Sequence, residues 1–142
     1  MVTVFLLVFV VSTIVASIFL SFRKRESIEI PDGTGILFFH AKVRCPTCIN
    51  MEKLIRRVLD DSFRAEMKSG RIGLVLIPYD APENRKIVER FHVGTISVVL
   101  VEKEKGRIVQ HRDLSPQVWS HHGNETLMTD IFSTELSRFI RK

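Results

Sequence analysis

Ile36-Leu37-Phe38-Phe39-His40, followed by Ala41-Lys42-Val43-Arg44 and then by Cys45-Pro46-Thr47-Cys48, is the stretch on which the reading of this chain turns. A short apolar run closed by polar residues predicts a buried strand over Ile36 to His40. Beyond the cysteines, Met51, Leu54, Ile55, Val58 and Leu59 recur at steps of three and four against Glu52, Lys53, Arg56, Arg57, Asp60 and Asp61, which predicts an amphipathic helix. The C-x-x-C motif therefore falls where a strand hands over to a helix.

Phe63 to Lys68 continues that helix, and Ser69-Gly70 stops it. Ile72 to Ile77 is a second buried strand. Pro82 opens a further helix, with Ile87, Val88 and Phe91 on one side and Arg85, Lys86, Glu89 and Arg90 on the other. Ser97 to Glu102 and Arg107 to Arg112 are strands joined by Lys103-Glu104-Lys105-Gly106, an antiparallel hairpin. Asn124 caps a closing helix whose apolar stripe is Met128, Ile131, Phe132, Leu136, Phe139 and Ile140. The predicted order is β-α-β-α-β-β-α. Two β-α-β stretches predict parallel strands with crossover helices, and the hairpin adds an antiparallel edge, so the fold class is α/β with a mixed four-stranded sheet flanked by helices.

Upstream of the linker Ser27 to Thr34, the run from Met1 to Phe22 carries no charged residue. It exceeds the ~18 apolar residues that mark a membrane-spanning helix. Its basic residues, Arg23, Lys24 and Arg25, follow the apolar run instead of preceding it, unlike a cleaved signal peptide. The expected organisation is thus a transmembrane anchor at 1–22, a basic flank and linker at 23–34, and one globular domain at 35–142. The basic flank accounts for three units of the net charge of +5. The remainder holds no dense Lys/Arg stripe with interleaved aromatics, so a nucleic-acid partner is not expected. The expected protein is a single-pass membrane protein, and by the positive-inside rule the flank favours the cytoplasmic over the extracytoplasmic side for the domain.

A C-x-x-C pair between the first strand and the first helix of this element order resembles the thioredoxin fold, from Gly35 to the end of the chain. Phe39-His40, Arg44-Cys45-Pro46-Thr47-Cys48, Glu52-Lys53, Asp80-Ala81-Pro82-Glu83-Asn84, Ser97-Val98-Val99-Leu100-Val101 and Val118-Trp119 resemble, more narrowly, the small thioredoxin-like C-P-T-C proteins named as nitrophenyl-compound nitroreductase subunits. The resemblance implies the fold and a redox-active cysteine pair. Nothing in the sequence suggests a flavin or nicotinamide site, so no cofactor and no nitroreductase activity are inferred. Two departures from ordinary thioredoxins stand out. Where those proteins place a cis-proline before the third core strand, this chain reads Gly94-Thr95-Ile96-Ser97, which makes Ile96 the counterpart. Where they bury an acidic residue in the first strand, this one has Phe38, Phe39 and His40.

The chain has two cysteines, both in the motif, so they form a local device and not a disulfide framework. A thiolate is the nucleophile of disulfide exchange, and Cys45 at a helix start meets unpaired backbone N–H groups and the positive end of the helix dipole, with Arg44 as a neighbouring cation. Cys48, one turn further on, is then the resolving thiol, and Arg44 and His40 are candidates for pKa tuning or proton transfer. The expected activity is that of a thiol-disulfide oxidoreductase or redox partner working on a protein dithiol or disulfide. The alternative is a Cu(I)- or Zn-binding module or metallochaperone that uses Cys45, Cys48 and His40, since two thiolates and an imidazole suit soft metals. A third reading keeps the fold as a catalytically silent, membrane-tethered interaction domain. His92, His111, His121 and His122 read as surface or packing residues, and Trp119 and Phe91 as core or edge packing.

Overall fold

In the computed structural model, which describes residues 28–141, the first strand, β1 (Gly33–His40), lies inside the sheet with a neighbour on either side. The expected anchor, Met1 to Phe22, and the flank Arg23, Lys24 and Arg25 lie outside the described residues. Among the described residues no helix is long and apolar enough to cross a membrane. β1 begins at Gly33, and Ile30 is buried in the core, so ordered packing reaches into the segment expected to be linker. Gly33 is required there: its φ is +101°, and a Cβ would lie 2.7 Å from the Arg71 carbonyl oxygen.

After β1 come α1 (Pro46–Ser62), α2 (Arg64–Lys68), β2 (Ile72–Pro78), a 3-10 turn (Pro82–Asn84), α3 (Arg85–Arg90), β3 (Ser97–Glu104), β4 (Arg107–Asp113), α4 (Ser115–Ser120) and α5 (Glu125–Ile140). The sheet is mixed and four-stranded in the order β2-β1-β3-β4. β1 runs parallel to β2, with Leu37 opposite Val75, and antiparallel to β3, with Leu37 opposite Val99. β3 and β4 are antiparallel.

Only the first β-α-β stretch yields a parallel pair; β3 returns antiparallel beside β1. Length explains the difference. The six residues of α3 rise only about 9 Å, against the roughly 23 Å that β2 travels, so the chain turns back from the end at which β2 left the sheet. The expected continuous helix is also divided, because Phe63 leaves helical geometry (φ −130°, ψ 23°) as its ring enters the core. The hairpin is tighter than expected. Lys103 and Glu104 remain in β3, and Lys105 and Gly106, both at positive φ, make the two-residue turn that matches strand twist. α4 is an element beyond the expected β-α-β-α-β-β-α order. Asp113 starts it by accepting the Ser115 backbone N–H at 2.8 Å, while Asn124 caps α5 as expected, accepting the Leu127 N–H at 3.1 Å.

Alternation along the strands divides the core. Ile36, Phe38, Val98 and Leu100 pack towards α1 and α5, meeting Ile55, Leu59, Phe132 and Leu136. Leu37, Phe39, Val99 and Val101 form the second cluster, with Ile87, Val88 and Phe91 against it. Covering both faces of β1 is what makes its sequence a continuous apolar run instead of an alternating one. The motif sits at the C-terminal end of β1, on the α1 side.

Candidate functional site

Cys45 is the N-cap of α1, in extended geometry (φ −85°, ψ 162°), with Pro46 in the first turn. Proline suits that position because its missing N–H would have had no intrahelical partner. Three residues on, Cys48 faces the same way, and the two sulfurs lie 2.9 Å apart. The Cys48 backbone N–H donates to Cys45 Sγ at 3.3 Å, filling the place of an oxygen cap. Exposure separates the pair: Cys45 is partly exposed, whereas Cys48 is fully buried in the cluster with Phe38 and Ile96.

The Cys45 thiol is held below its ordinary pKa, first by the Cys48 thiol donating to it and then by the backbone N–H of Cys48, with smaller help from the N–H groups of Thr47 and Cys45. Desolvation opposes these and does not outweigh them. No acidic residue stands in the first turn of α1 to repel the developing thiolate.

Arg44, expected as a neighbouring cation, is ion-paired with Glu52. Glu52 also receives Arg56 at 2.8 Å, so one carboxylate serves two guanidinium groups. A second tie holds the preceding loop: the Lys42 backbone N–H donates to Asp80 Oδ1 at 2.8 Å. Together Glu52 and Asp80 anchor the segment that presents Cys45. Neither is among the site residues expected from the sequence. Glu52 with Arg56 has i,i+4 spacing and was open to notice, but its pairing with Arg44 crosses the loop-helix junction and has no local signature.

His40 ends β1, buried, with its ring 5.9 Å from that of Phe38. Its Nδ1 is 2.8 Å from the Ala41 carbonyl oxygen. A carbonyl only accepts, so Nδ1 carries the proton and Nε2 is the nitrogen left for chemistry. His40 shares its sheet face with Ile36 and Phe38, the face that also covers Cys48. Ile96 is buried in that same cluster just before β3, and its carbonyl accepts the Trp119 indole N–H at 3.0 Å. Trp119 thus ties the loop entering β3 to α4.

No family model matches this chain. No curated protein matches it either. Among solved structures, one described as "Structure of a malarial protein" aligns with 58% of this chain and 81% of its own, at 20% identity and a TM-score of 0.39, a likeness too slight to carry an argument.

The remaining histidines are dispersed. His111 meets Phe91 edge-on at 5.5 Å, His121 is bonded to the Gln117 carbonyl, and His122 Nδ1 is 2.9 Å from the Trp119 carbonyl oxygen. Among the described residues no three His, Cys, Asp or Glu side chains gather closely enough to hold a metal ion. The arrangement is a partly exposed thiol biased towards thiolate, with a second, sheltered thiol in contact behind it.

Proposed function

We propose that this chain is a thiol-disulfide oxidoreductase or redox partner of thioredoxin-like fold, in which Cys45 attacks and Cys48 resolves. The observation that carries the reading is the asymmetry of the pair, one cysteine partly exposed and hydrogen-bonded at a helix start, the other buried with its sulfur 2.9 Å away. The C-x-x-C after β1, the order of the sheet and the resemblance to the small C-P-T-C proteins support the choice of fold. Met1 to Phe22 would hold the domain to a membrane, with Arg23, Lys24 and Arg25 on the cytoplasmic side.

In the first step the Cys45 thiolate attacks one sulfur of a partner disulfide. A Cys45–partner S–S bond forms, the partner's own S–S bond breaks, and the departing thiolate takes up a proton. Cys48 then loses its proton and attacks Cys45 Sγ, closing the intramolecular disulfide and releasing the partner's second thiol. Two electrons pass from the pair to the partner, and the reverse sequence oxidises a partner dithiol. His40 Nε2 is the group assigned to take the Cys48 proton. Exposed Val43 and Ile49 flank the motif and supply apolar surface for a polypeptide partner.

Trapping tests this directly. A Cys48→Ser chain should accumulate a mixed disulfide through Cys45, and the intact chain should cycle between dithiol and disulfide. If trapping occurs through Cys48 in a Cys45→Ser chain instead, or the pair does not cycle, the assignment is wrong.

A further inference from the structure

Beside the motif, a groove of about 440 Å³ runs between α1 and the start of α5. One wall is a helical stripe, Thr47, Asn50, Met51, Leu54 and Arg57, at steps of three and four. The stripe begins between the two cysteines and covers about 15 Å of helix. That is the length of roughly four to five residues of extended polypeptide. Across from it stand His122, Glu125 and Met128. Met51, Leu54 and Met128 are buried and make an apolar floor.

The charge on the rim is uneven. Arg57 is ion-paired with Glu125, the one carboxylate in the lining. Lys53 lines the same groove and has no ion-pair partner among the described residues. His122 adds a further nitrogen, Nε2, because its Nδ1 is committed to the Trp119 carbonyl. Along α1, Lys53 and Arg57 stand one to two turns or more beyond Cys48, while the end beside the motif carries the neutral Thr47.

We propose that this groove is a recognition subsite for an extended partner segment carrying an acidic side chain about four residues from its reactive cysteine. The proposal rests on the thiol-disulfide reading above. A chain joined to Cys45 passes Thr47 to enter the groove, sets an apolar side chain on the methionine-rich floor and brings its carboxylate to Lys53. Adaptable thioethers fit a subsite that accepts more than one apolar side chain.

The test uses the full-length chain and peptides whose single cysteine is activated as a 2-thiopyridyl disulfide, with Glu, Gln or Lys four residues to either side. Cys45 attacks the peptide sulfur, the new S–S bond forms, and pyridine-2-thione leaves and is followed by absorbance. In one of the two peptide directions, the Glu peptide should react faster than the Lys peptide by about threefold at low ionic strength. The ratio should shrink with added salt and reverse in a Lys53→Glu chain. Equal rates for the three peptides in both directions, as expected if the groove holds a small anion or a second copy of the chain instead, would overturn the proposal, as would a ratio unchanged by Lys53→Glu. Exchange with 2-hydroxyethyl disulfide separates the two levels. If that exchange proceeds while peptide charge is ignored, the subsite alone falls; if even that exchange fails, the redox reading falls and takes the subsite with it.

Discussion

Arg44, the residue before the proposed nucleophile, is bound to Glu52 in the second turn of the helix that Cys45 caps. The cation nearest to Cys45 in sequence is therefore shared with a carboxylate that also holds Arg56. Glu52→Gln should leave Arg44 uncompensated beside the motif and lower the Cys45 pKa further, because a free cation favours the thiolate. Alkylation rate against pH reads the shift directly. The same variant should lose about 1 kcal/mol of stability, the scale of a partly exposed ion pair. A pH profile that does not move would show that Arg44 is only a structural tie.

The Cys48 thiol is the largest cause of the lowered Cys45 pKa, so removing that donor should raise it. Cys48→Ala should move the alkylation midpoint of Cys45 up towards its ordinary value, and Cys48→Ser, which keeps a donor, should move it less. The linkage follows in sign. A depressed folded-state pKa stabilises the reduced fold above the unfolded thiol's pKa, and this contribution is lost as pH falls through the folded pKa. Reduced intact chain should therefore gain stability with rising pH relative to Cys45→Ser, by urea titration at several pH values.

His40 donates through Nδ1 to its own chain neighbour, and in the proposed mechanism its Nε2 takes the proton leaving Cys48. His40→Gln should slow release from the mixed disulfide while leaving the initial Cys45 attack largely intact, a split that single-turnover kinetics can resolve. Equal slowing of both steps would make His40 a packing residue only.

Two features of the core set the stability of the frame. Leu136, fully buried between α5 and the sheet, should cost about 2–5 kcal/mol when replaced by Ala. Trp119→Phe leaves the Ile96 carbonyl without the indole N–H and should cost about 1–3 kcal/mol. Chemical denaturation measures both, and a Trp119→Phe chain as stable as its parent would mean that another donor reaches Ile96.

Much of this protein was legible in the order of its residues. The apolar run of β1, the three-four periodicity of α1 and α5, the Asn124 cap and the position of the cysteines at a strand-to-helix junction are local consequences of side-chain chemistry and spacing. Contacts between segments far apart in the chain, or across an element boundary, are not encoded in that way. The break at Phe63, the antiparallel return of β3, the short helix α4, the anchoring of the 41–45 loop by Asp80 and Glu52, and the groove shared by α1 and α5 each depend on which surfaces meet once the sheet has formed. That two thiols stand one helical turn apart at the start of a helix follows from C-x-x-C and helical pitch alone. That one is buried and the other partly exposed is a property of the tertiary structure alone, since Cys48 joins Phe38 and Ile96 in one core cluster only when α1 packs on the sheet.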